Sequence, residues 1–79
     1  MTSARLSNLI KALHNLATDS TRTIHSRTQT AEHEIEDYLV TDPKTRKQML
    51  DELDHEIAAE AGEFWHTVRE GIAQQRRTG

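Results

Sequence analysis

At 79 residues, with 34% hydrophobic residues, no cysteine and a formal net charge of −3, the chain has room for one domain, 1–79, and a small interior that wants a second source of burial. The missing cysteines exclude disulfides and thiolate metal sites, and a sequence pI near 5.9 argues against a nucleic-acid surface, since such domains usually have a pI above about 9. No charged-then-apolar leader and no apolar run of about 18 residues occurs, so a cytoplasmic protein without a membrane span is expected.

The chain opens as an amphipathic helix. Thr2 or Ser3 can cap it, and Leu6, Leu9, Ile10, Leu13, Leu16 and Ala17 recur at the i, i+3, i+4, i+7 spacing of one helical face. From Thr18 to Thr30, seven of thirteen residues are Ser or Thr, side chains that compete with a helix by bonding their own backbone. Ala31, Ile35, Tyr38 and Leu39 then restore the helical period. The phase, at about 100° per residue, carries from Leu13 through Ile24 to Ile35 without a slip, and residues 1–42 hold no Gly or Pro. The spacing therefore predicts one helix over about 4–40, with a three-helix arrangement broken near 18–30 as the alternative.

Asp42 and Pro43 next supply an N-cap and a first helical residue. Leu50, Leu53, Ile57, Ala61, Phe64, Val68 and Ile72 fall within a stripe roughly 100° wide, which predicts a second helix over about 43–76, on the order of 50 Å long. Two such helices joined at Thr41-Asp42 make an antiparallel hairpin, and the fold class is all-α. In a hairpin with that tight turn, Ser20 lies opposite Phe64, and Arg27, a cation on the apolar stripe, lies opposite Glu56 with Glu60 a turn away. Its guanidinium is expected to pair with one of these carboxylates or to reach the interface edge along its stem.

Residues 1–31 carry a net +3, residues 32–63 a net −8 and residues 64–79 a net +2. The hairpin would thus have a basic pole at its termini and an acidic pole at its turn. Two hairpins paired antiparallel would set opposite poles side by side and would cover the side of each apolar stripe that a lone hairpin leaves in water. A homodimeric four-helix bundle is expected, with Leu13, Ile24, Ile35, Tyr38, Leu53, Ile57, Phe64, Trp65, Val68 and Ile72 forming the dimer or partner interface.

Glu52-x-x-His55 and Glu63-x-x-His66 match the ligand spacing of di-iron bundles. Both histidines project roughly opposite Phe64, onto the polar face, and a chain with thirteen acidic residues produces such spacings by chance. No metal or cofactor is expected. No Ser/His/Asp set, Gly-rich loop or nucleotide fingerprint occurs, so no catalytic residue is assigned and the chain is read as a non-enzyme. Its length and hairpin form resemble those of the Rop-type RNA-binding hairpin dimers. That resemblance implies phosphate contacts, for which Arg5, Lys11, Arg22, Arg69, Arg76 and Arg77 are the candidates. The form is also similar to that of type III secretion needle subunits, which would make the chain a structural subunit of a helical assembly, although QQRRTG stands where those have a hydrophobic segment. The function read from the sequence is a small protein–protein interaction module, an adaptor or inhibitor that binds and modulates a larger protein, of the sort phages and plasmids carry as accessory genes.

Overall fold

The computed structural model describes residues 4–39 and 43–78, and all the regular structure there is helical. Four helices of nearly equal length follow in order: α1 (Ala4–Thr18), α2 (Ile24–Tyr38), α3 (Pro43–Ile57) and α4 (Glu63–Thr78). The all-α class holds, but the two long helices do not. Each is cut near its middle, at residues 19–23 and 58–62, and the halves fold together. The longest extent of the molecule is 36 Å, shorter than the rod of about 50 Å that one helix over 43–76 would make. The first cut falls inside the 18–30 stretch of the three-helix alternative, whereas the second lies in a stretch whose spacing predicts unbroken helix. The expected caps Thr2, Ser3 and Asp42 and the turn at Thr41-Asp42 lie outside the described residues. Pro43 does begin α3, where its fixed φ suits the helix and its missing N–H is one the helix would leave unpaired anyway.

The first cut is built from the Ser/Thr-rich segment. Thr18 Oγ1 turns back to donate to the carbonyls of His14 and Asn15 at 3.2 and 3.3 Å. The Asp19 carboxylate accepts from the amide and the hydroxyl of Thr21 at 3.0 and 2.5 Å, a side-chain-closed turn that replaces helical bonds. Those two bonds, the hydroxyl first, hold the Asp19 carboxyl below its ordinary pKa. Thr23, extended at φ −67° and ψ 158°, then caps α2 by accepting from Ser26 N–H at 3.1 Å. Arg27 reaches back across the cut and donates to the carbonyls of Leu16 and Ala17 at 3.3 and 3.0 Å. The expected pairing of Arg27 with Glu56 or Glu60 is thus replaced by capping of α1, whose last carbonyls lack helical partners.

The second cut has almost no local polar chemistry. Ala58, Ala59, Glu60 and Ala61 are good helix formers, yet the chain leaves the helix after Ile57 and re-enters at Glu63 through Gly62, whose φ of +117° belongs to glycine. Gly62 O accepts the first bond of α4, from His66 N–H at 2.9 Å. Arg69 supplies what the alanines lack. Its guanidinium donates to the carbonyls of Ile57, Ala58 and Glu60, gathering the loose end of α3 onto α4.

Packing explains why the cuts are worth making. Each leaves about four carbonyls and four amides without helical partners, but it lets one chain close its own core. α1 packs on α2 and α3, and α4 packs on the same two helices, so the four form a ring with α1 and α4 at opposite corners. Leu6, Leu9 and Leu13 from α1, Ala31, Ile35 and Tyr38 from α2, Leu50, Leu53 and Ile57 from α3, and Phe64, Trp65, Val68 and Ile72 from α4 are all buried in it, with Leu39 beside them. Phe64 and Trp65 meet edge to face, 5.2 Å apart at 85°, the arrangement their quadrupoles favour. Burying each such large side chain is worth about 1.5–3 kcal/mol. Ser20, expected opposite Phe64, is instead exposed in the first cut.

Candidate interaction surface

The residues expected to form a dimer or partner interface are the interior of a single chain. Leu13, Leu53 and Ile57 have no exposed surface, Ile35, Tyr38, Phe64, Trp65, Val68 and Ile72 are buried, and Ile24 packs partly buried against them. Trp65, which the two-helix geometry places on an outer flank, turns inward because α4 folds over α3, and the His14 ring of α1 lies against it, tilted by 59° with centroids 5.0 Å apart. Among the described residues the only apolar side chains in the exposed class are alanines: Ala4, Ala58, Ala59, Ala61 and Ala73. The burial that pairing of two chains was expected to provide is provided within one.

The candidate phosphate contacts do not gather at one pole. Arg5 lies over the Tyr38 ring, 5.5 Å from its centroid, and donates to Tyr38 O at 3.3 Å. Arg22 folds along α2, donating to Ser26 Oγ at 2.9 Å and to Thr30 Oγ1 at 2.5 Å. Arg69 caps α3 as described. Arg76 of α4 bridges to α3, 2.8 Å from Asp51 and 3.6 Å from Asp54. Lys11 and Arg77 are exposed, on α1 and α4 respectively. The acidic residues separate as well: Glu32, Glu34, Glu36 and Asp37 lie on α2, whereas Asp51, Glu52, Asp54 and Glu56 lie on α3, the opposite corner of the ring. The single acidic pole of the hairpin becomes two acidic faces.

The histidines fall where the polar-face reading put them. His55 and His66 are exposed, and His66 faces Glu70 at 3.0 Å rather than Glu63. His14 lies 3.5 Å from Glu60, an ion pair when the imidazole is protonated, tying α1 to the second cut. Among the described residues no three His, Asp or Glu side chains are grouped as metal ligands, and no helix is long and apolar enough to cross a membrane.

Two hollows flank α2. One, of about 280 Å³, lies between α1 and α2 and is lined by Arg5, Asn8, Leu9, Glu34, Asp37 and Tyr38. The other, of about 260 Å³, is a slot between α2 and α4. Its floor is Ile35, Val68 and Ile72, with Glu32 and Glu36 on the α2 rim and Gln74 and Gln75 on the α4 rim, and Gly71 opens its α4 wall. Sequence reasoning missed the slot because it depends on two helices that the hairpin places at different levels. The one signal present was Gly71, an isolated glycine inside a helical pattern. No family model matches this chain, and no curated protein or solved structure does either.

Proposed function

We propose that the chain is a small non-enzymatic interaction module that binds and modulates a larger protein. The observation that supports this most is the engagement of its arginines. The guanidiniums of Arg5, Arg22, Arg69 and Arg76 already bond carbonyls, hydroxyls and carboxylates of their own chain, so a phosphate backbone would have to displace those bonds to use them. The rest of the surface is polar and rich in carboxylates, which suits a basic protein face. One chain suffices for such a module, because among the described residues no large apolar side chain is left exposed for a second copy to cover.

The experiment is affinity capture of the tagged protein from its own cell at moderate salt, with and without nuclease. A protein that co-elutes and survives nuclease is the expected result. Nucleic acid that co-elutes and is lost as salt rises would overturn the reading in favour of the RNA-binding alternative. Light scattering on the purified chain is expected to give a mass near 9.0 kDa, that of a monomer.

A further inference from the structure

The two hollows beside α2 have similar volumes and both carry a pair of acidic residues, but they differ in one respect. The α1/α2 hollow contains its own cation: Arg5 lines it together with Glu34 and Asp37. The α2/α4 slot has no Lys, Arg or His in its lining, although Glu32 and Glu36, one helical turn apart and both exposed, stand on its rim. His33 lies 4.0 Å from Glu36, outside the slot.

Gly71 lines the same slot from α4. A glycine inside a helix costs about 1 kcal/mol relative to alanine, and such a residue usually answers a need for left-handed backbone or for close packing. Neither need exists within this chain. Gly62 is the one glycine with positive φ among the described residues, and a Cβ added at Gly71 would meet no atom within 4 Å. What the missing side chain does is keep the slot open against the backbone of α4.

We infer that the α2/α4 slot is the docking site for a basic helical segment of the partner protein. An arginine or lysine of that segment sits between Glu32 and Glu36, its aliphatic stem lies over the floor of Ile35, Val68 and Ile72, and the segment crosses α4 closely at Gly71. The long basic side chains suit this place because they combine an apolar stem with a charged head, and the paired carboxylates take a guanidinium in charge-assisted bonds. The inference rests on the interaction-module reading and names the surface and the partner chemistry for it.

The probe is an amidated helical peptide with arginines one turn apart among alanines and leucines, titrated into isotope-labelled protein and followed by amide chemical shifts. Its counterpart, with glutamates in place of the arginines, is the control. The expected result is a set of shifts confined to Glu32, Glu36, Gly71 and their neighbours with the arginine peptide and none with the control. Glu32→Gln with Glu36→Gln should weaken binding by about tenfold, as loss of two exposed ion pairs would. Gly71→Leu should block it by filling the slot, with the thermal melt showing that the fold is kept.

Shifts spread equally over the α3 carboxylates, or binding unchanged by Gly71→Leu, would overturn the slot. So would concentration-dependent line broadening without peptide that Gly71→Leu removes, since the occupant would then be a second copy. Capture from the cell separates the two levels of the argument. A nuclease-resistant protein retained by wild type and lost by Gly71→Leu supports both. Retention by both proteins removes the slot and leaves the module, and retention by neither removes the module as well.

Discussion

The two cuts that turn a pair of long helices into four short ones solve the same problem with different chemistry. At residues 19–23 the backbone is satisfied mostly by near neighbours: Thr18 on α1, Asp19 with Thr21, and Thr23 on α2. At residues 58–62 two backbone bonds, from Ala58 N–H to His55 O and from Glu60 N–H to Ile57 O, are joined by one glycine and one distant side chain, Arg69, twelve residues from the Ile57 carbonyl it caps. Both cuts are also closed by an arginine from the helix that follows, Arg27 in the first and Arg69 in the second. A turn with many small side-chain contributions tolerates the loss of any one, whereas a turn in which one side-chain donor gathers three carbonyls is more sensitive to losing it.

The arginines break that comparison most directly. Arg69→Met leaves three carbonyls at the end of α3 without their charged donor and is expected to cost about 2–3 kcal/mol in urea unfolding. Arg27→Met strips two carbonyls in a cut that has other bonds, and about 1–2 kcal/mol is expected. Equal costs would mean that the cuts are alike and that the local Ser/Thr bonds contribute little. Next in size is Gly62→Ala, which forces a side chain onto a φ of +117° and should cost about 1–2 kcal/mol, seen as a lower melting temperature. An unchanged melt would show that the second cut can close without this glycine.

Thr23→Ala removes the cap on α2 and should cost about 1 kcal/mol. Hydrogen exchange should place the effect at Ser26 and its neighbours, leaving α4 untouched. The smallest effect belongs to Asp19. Its carboxyl is held below its ordinary pKa by the Thr21 hydroxyl and amide, so its contribution is fully present above the unfolded-state value and is lost as pH falls through the folded-state value. Wild type and Asp19→Asn should therefore converge in stability as the pH is taken below about 4, the ordinary aspartate range. Curves that stay parallel through that range would remove Asp19 from the turn.

What could be read from the sequence divides along the same line. The apolar stripes were legible, since Leu6, Leu9, Leu13, Leu50, Leu53 and Ile57 recur at helical spacing and are all buried. The first cut was half legible: the Ser/Thr run marks residues that prefer to bond their own backbone, but the unbroken phase from Leu13 to Ile35 argued the other way. That phase survives because Ile24, Ala31 and Ile35 face the same core from a helix that has folded back. The second cut was hidden, because three alanines and a glutamate propose a helix and only tertiary packing stops it. Arg69 could be seen as a cation but not as a cap, since its partners lie at the end of α3 and in the second cut, which the sequence reads as continuous helix. The slot beside Gly71 was out of reach for the same reason.

The central claim is that α1 folds onto α3, and methyl-to-methyl nuclear Overhauser effects between their leucines test it most directly. The structure packs α1, with Leu6, Leu9 and Leu13, on α3, with Leu50 and Leu53, so cross-peaks between the two sets are expected at a protein concentration where the chain is monomeric. In a two-helix hairpin Leu9 and Leu50 would lie about 36 Å apart along the rod, far beyond the reach of the effect. Absence of those cross-peaks, with α1 contacting only α4 along its whole length, would contradict the four-helix fold.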